Sequence, residues 1–131
     1  MKKYPVYLFL ITSLFACNSN INQQDLIGKW NYSSYEYQNK YLDKPLANIS
    51  LQKPSIVFNK DGSALIYSSG EVLSKGNYHL DGKIIRYEEI LPDGQKRKIP
   101  FLIKELTDQQ LIFQTMDSEV KIITAHKEIF K

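Results

Sequence analysis

Few side chains in this chain of 131 residues belong to types that do chemistry, and their spacing keeps them apart. Cys17 is the only cysteine, and the two histidines, His79 and His126, are far from each other. No metal-ligand spacing follows from that set, and no phosphate-cradling loop arises from six scattered glycines. Glu88 and Glu89 are adjacent in a strand-like run, so they point to opposite faces and cannot act as a paired acid and base. Lys96-Arg97-Lys98 reads as a charged, soluble edge. Tyr32, Tyr35, Tyr37 and Tyr41 fit ordinary strand propensity or an aromatic rim for a ligand or partner. The expectation is a protein with no catalytic residue, no metal ligand and no cofactor.

Cys17 has a different use. Lys2 and Lys3 precede an apolar run from Val6 to Ala16, broken only by Thr12 and Ser13. The run is too short for a membrane span, which needs roughly 20 apolar residues, and its flanks suit a secretory signal. Leu14-Phe15-Ala16-Cys17 resembles the lipobox of bacterial lipoproteins. That resemblance implies loss of residues 1–16, a diacylglyceryl group on the Cys17 thiol and an acylated new amine. Two acyl chains already anchor a protein stably, and three would do so permanently. Asn18 rather than Asp follows the cysteine, which implies the outer membrane, on its periplasmic or its surface face. Removing Lys2 and Lys3 leaves fifteen basic against fourteen acidic residues, so nucleic acid is not an expected partner. With the thiol acylated, no disulfide can form, and the remaining chain has the size of one domain standing on its core.

Residues 17–24 are the lipidated cysteine and a polar tether, and residues 25–131 are the domain. Short β-like runs separated by turn signals fill that domain, which points to an all-β barrel or sandwich. In Asn59-Lys60-Asp61-Gly62 a type I turn with Gly62 left-handed sets Phe58 opposite Ala64 and Ile56 opposite Ile66. Leu80-Asp81-Gly82-Lys83 reads as a two-residue turn, with Tyr78 opposite Ile85 and Leu80 opposite Lys83. Leu91-Pro92-Asp93-Gly94 sets Tyr87 opposite Ile99 and Ile85 opposite Phe101. Two hairpins thus independently choose the face of Ile85 and Tyr87 as apolar. Met116-Asp117-Ser118-Glu119 sets Phe113 opposite Ile122 and Leu111 opposite Thr124. His126 then continues the face of Val120, Ile122 and Thr124 toward a barrel mouth, while His79 faces solvent. The stretch 105–110 is a loop or one helical turn, and 39–55 a long connection with a short helix around 43–51. Seven or eight strands in an up-and-down meander result.

Gly28-Lys29-Trp30 resembles the opening motif of lipocalins, in which the tryptophan packs across the barrel base. Three further segments follow in the order seen in lipocalin-like lipoproteins of Gram-negative bacteria. They are Ile56-Val57-Phe58-Asn59-Lys60-Asp61-Gly62, Gly76-Asn77-Tyr78-His79-Leu80 and the Leu106 to Leu111 element. The likeness implies a small lipid-anchored barrel closed at one end by Trp30. The chain is shorter than true lipocalins and lacks their C-terminal helix signal and disulfides, so no lipocalin-sized cavity is implied.

The inward set is Trp30, Ile56, Phe58, Ala64, Ile66, Tyr78, Leu80, Ile85, Tyr87, Ile99, Phe101, Ile103, Leu111, Phe113, Val120 and Ile122. Nearly all are large, so much of the interior is expected to be filled. What remains is a shallow apolar pocket near one mouth, edged by tyrosine hydroxyls. Tyr78, Tyr87, Phe58, Phe101 and Phe113 are its expected lining, for a small apolar or amphipathic molecule. The alternative is a protein-interaction module: an envelope-complex subunit, an inhibitor or an immunity protein. The domain itself is expected to be monomeric.

Overall fold

The computed structural model describes residues 21–42 and 48–129. Cys17, Asn18 and the signal segment lie outside that range, as does most of the helix expected around 43–51. Its described part is a single turn, α1, Ile49–Gln52, capped by the Asn48 side chain accepting from Leu51 N at 3.1 Å.

Eight antiparallel strands close into one barrel in chain order. They are β1 Gly28–Tyr37, β2 Ser55–Phe58, β3 Ser63–Ser68, β4 Glu71–Asp81, β5 Ile84–Ile90, β6 Lys96–Leu106, β7 Gln110–Thr115 and β8 Lys121–Lys127. The registers at Asn59–Gly62 and Leu91–Gly94 are as the turn chemistry dictates. Phe58 faces Ala64, Ile56 faces Ile66, Tyr87 faces Ile99 and Ile85 faces Phe101.

Three expectations are corrected. Leu80 pairs with Ile85 and Tyr78 with Tyr87, because the β4–β5 loop is Gly82-Lys83. Only Gly82, at φ +63, then needs positive φ, and Asp81 stays extended. The apolar face survives because the register moves by an even number of residues. The β7–β8 register moves by an odd one. Phe113 pairs with Ile123 and Leu111 with Ala125, so these two replace Val120, Ile122 and Thr124 inside. Val120 stays in the loop because its carbonyl accepts from Gln38 N, while Thr115 Oγ1 accepts from Lys121 N. His126 consequently points outward and is exposed. The stretch between Ile103 and Leu111 is strand to Leu106, then a tight turn closed by Thr107 N donating to Gln110 O.

The segment assigned to the tether is shortened as well. A 3-10 turn spans Gln23–Leu26, Ile21 packs on the core, and Gln23 Oε1 accepts from Leu80 N. This turn shuts one end of the barrel. Trp30 is fully buried there and donates from Nε1 to Leu26 O at 2.8 Å, with Lys127 Nζ 5.3 Å from its ring. Burying a side chain of that area stabilises by roughly 4–6 kcal/mol before entropy is counted. Gly28 begins the strand at φ +136, and a Cβ there would meet Lys127 Cε at 2.7 Å. Gly-x-Trp is thus a tight entry into the plug rather than a chance pair.

Candidate functional site

The two barrel ends differ. The closed end carries the 3-10 turn, Trp30 and the loops at 59–62, 82–83 and 107–109. Above it Phe101, Leu111 and Phe113 fill the middle, with Phe101 and Phe113 edge-to-face at 5.3 Å. The interior is packed, as the size of the inward residues implies. Small inward residues among those described are Ala64, Ala125 and Gly76.

Toward the open end the inward residues turn polar. A bulge between Tyr32 and Ser34 puts Tyr32 opposite Ala125 and Tyr35 opposite Ile123. Two tyrosines three residues apart therefore share the inner face, which strict alternation forbids. Tyr32 meets Phe113 edge-on at 6.0 Å, and Tyr87 stacks on Phe101 at 6.4 Å. The hydroxyls of Tyr87 and Ser74 share a hydrogen bond of 2.7 Å. Glu89 continues the inner face of β5, and its Oε1 accepts from Arg97 Nη2 at 2.6 Å and Nε at 3.0 Å. The Glu89 side chain is 11% exposed and that of Arg97 62%, so the arginine lies over the carboxylate like a cover.

Burial holds the phenols of Tyr32, Tyr35 and Tyr87 above their ordinary value. Neighbouring Tyr35 and Tyr87 add to the effect on Tyr32; Lys121 opposes it at Tyr35, and the Ser74 bond opposes it at Tyr87. These groups stay neutral and can donate hydrogen bonds. The mouth thus offers an aromatic floor, neutral hydroxyls and one charge-paired carboxylate, a surface suited to an amphipathic molecule.

The expected lining falls into two groups. Tyr87, Phe101 and Phe113 form one continuous aromatic set with Tyr32, beneath the mouth. Phe58 and Tyr78 form another, 4.8 Å apart, and it belongs to the closed end. Tyr78 donates to Asn59 O at 3.0 Å, in the loop beside the plug. Tyr78 and Trp30 are therefore at the same end rather than at opposite ends. Arg97 is likewise no simple surface edge residue, because it folds inward over Glu89. That pair was within reach of the sequence: the register that sets Tyr87 opposite Ile99 also sets Glu89 opposite Arg97.

Outside the mouth, a groove of about 340 Å³ crosses the outer face of β4–β6, lined by Asn77, His79, Arg86, Glu88, Lys98 and Pro100. A larger cleft of about 640 Å³ opens between upper β4 and the β5–β6 hairpin. Among the described residues, the strongly exposed large apolar side chains are Tyr41, Leu51, Val72, Leu73, Met116 and Ile129, and all but Ile129 ring the open end.

The crystal structure of a lipocalin-like protein from Bacteroides uniformis aligns with this chain at a TM-score of 0.54 and 23% identity, covering 79% of this chain and 99% of that one. At that identity the likeness shows the fold, and the barrel is lipocalin-like. No protein-family model and no curated protein matches the chain.

Proposed function

We propose that this chain is a lipid-anchored lipoprotein of the bacterial outer membrane. Its open barrel end binds a small apolar or amphipathic molecule, without catalysis. The observation that carries the binding reading is the asymmetry of the ends. One is plugged by Trp30 and Leu26, and the other presents Tyr32, Tyr35, Tyr87 and the Glu89–Arg97 pair inside an apolar rim. Nothing larger than a shallow occupant fits, because the aromatic residues below already fill the barrel.

The anchor and the mouth are at opposite ends. Ile21 packs on the core beside the plugged end, and three residues separate it from Cys17, a reach of about 14 Å at most over the four Cα steps. The open end therefore points away from the membrane that holds the lipid. Its ligand comes from the aqueous compartment, not from the bilayer beneath.

Two measurements test this reading. Cys17→Ser should leave unprocessed or released protein; a variant that still fractionates with membranes at mature length contradicts the anchor. Native mass spectrometry of protein taken from its own membrane should show a co-purifying small molecule. If none is present and no apolar probe binds saturably, the ligand reading fails and the interaction module stands in its place.

A further inference from the structure

The barrel wall parts at its open end, and the gap reaches the polar groups beneath the mouth. The β4–β5 ladder stops at Gly76 opposite Glu89, while β4 runs on to Glu71 paired with β3. Above Gly76 the strand is bulged. Ser74 lies opposite Ile66 and Val72 opposite Tyr67, so Leu73 has no partner on β3. A bulge bends its strand, and here upper β4 leaves β5. The cleft of about 640 Å³ occupies the gap and is lined from both faces of the sheet. Ser74 and Glu89 belong to the inner face, and Leu65, Lys75 and Ile90 to the outer. The cleft is therefore a side entrance to the open end, of a size usual for small-molecule sites.

Glu89 is the chemical group that this entrance exposes to an occupant. The residue is only 8% exposed. Its Oε1 takes both bonds from Arg97, and among the described residues no hydrogen bond reaches Oε2. A buried acceptor with one oxygen unused, in a cleft walled by Leu65, Leu73, Ile90 and Leu91, suits a hydrogen-bond donor on an apolar body. The charge of that donor follows from Arg97, which already neutralises Glu89. An ammonium head would add an unpaired cation beside the guanidinium. A carboxylate head would face the Glu89 carboxylate, and Lys75, exposed at the outer rim, is too well solvated to offset that. An uncharged hydroxyl or amide N–H meets neither obstacle and makes a charge-assisted bond. On the reading that the open end binds a small molecule, we propose that this molecule lies in the lateral cleft. It is a neutral amphiphile whose hydroxyl or amide head donates to Glu89 Oε2, and its apolar chain covers Leu73, which is 70% exposed.

Photolabelling of the full chain in its own membrane tests this, with dodecanol carrying a diazirine in its chain as the probe. Light should attach it to residues 72–75 and 90–92. Unlabelled dodecanol, dodecanoate and dodecylammonium then compete, each measured against its free aqueous concentration, and dodecanol should compete best. In Glu89→Gln, dodecanoate should gain about tenfold, because the repelling charge is gone and Arg97 is freed, while dodecanol should lose about as much with its charged acceptor. A purely structural Glu89 would weaken all three alike. Labelling confined to Tyr32 and Tyr35 overturns the lateral site while binding at the mouth stands. Better competition by dodecanoate or dodecylammonium in the unsubstituted chain overturns the neutral head. Equal weakening of all three in Glu89→Gln overturns Glu89 as the acceptor. No labelling that excess dodecanol removes would bring down the ligand reading itself, and the lateral site with it.

Discussion

Gly76→Ala is the substitution whose cost follows most directly from the geometry. Gly76 lies on the inner face of β4 where the strand presses against β5. A Cβ there would clash with the carbonyl oxygen of Glu88 and lie 2.9 Å from Glu89 Cα. Both obstacles are backbone, so no side chain can swing aside. The strands must separate at Gly76–Glu89, next to the Asn77–Glu88 pair. Losing two ladder hydrogen bonds and the local packing should cost about 2–4 kcal/mol. That is a large share of the roughly 5–15 kcal/mol by which such domains are stable. Gly82 is the natural control, with positive φ, +63, but no atom within 4 Å of its Cβ position. Gly82→Asn should be nearly neutral because asparagine tolerates the left-handed region, whereas Gly76→Asn should be no better than Gly76→Ala. Urea unfolding gives the free energies, and hydrogen exchange at Asn77 and Glu88 reports the local parting. A Gly76→Ala variant that loses less than about 1 kcal/mol, with unchanged exchange there, would refute the close-approach reasoning.

Trp30→Phe leaves Leu26 O without its buried donor and should cost about 1–3 kcal/mol in urea unfolding, and a loss under about 0.5 kcal/mol would mean the plug is not held by that bond. Arg97→Ala strips the cover from a nearly buried carboxylate and should cost about 1–2 kcal/mol, discounted for the exposure of the arginine. Glu89→Gln, which leaves an exposed arginine, should cost less, and the reverse order would contradict the inward placement of Glu89. Burial raises the phenols of Tyr32, Tyr35, Tyr78 and Tyr87 above 10.0 in the folded state. Their contribution to stability is therefore complete below pH 10 and lost as pH rises toward the folded-state values. Ultraviolet titration should show these four ionising together with cooperative unfolding; reversible ionisation near pH 10 without loss of structure would count against their burial.

The architecture was legible where local chemistry settles it. The turns at Asn59–Gly62 and Leu91–Gly94 carry their own glycines at the positions that need positive φ, so the flanking registers follow from four residues each. The β7–β8 register does not, because Val120 is held in the loop by Gln38 on another strand, a contact no local pattern announces. The bulge at Ser33 is equally silent, and it alone brings Tyr32 and Tyr35 to one face. Alternation tells which face Tyr78 occupies but not which way along the barrel its ring leans; the Asn59 carbonyl decides that. The Glu89–Arg97 pair was implied by a register already in hand. It was hidden because a run of three basic residues looks like surface.

On the proposed function, the open end and not the plugged one receives a small apolar or amphipathic molecule. Titration of a fluorescent apolar probe bearing a polar head separates the two ends, with Tyr87→Phe and Tyr78→Phe compared in the full chain. Tyr87 presents its hydroxyl to Ser74 at the mouth, and Tyr78 presents its own to Asn59 beside the plug. Binding should saturate, weaken about tenfold in Tyr87→Phe through loss of one hydrogen-bonding hydroxyl, and stay unchanged in Tyr78→Phe. Equal weakening in both variants, weakening in Tyr78→Phe alone, or no saturable binding would contradict it.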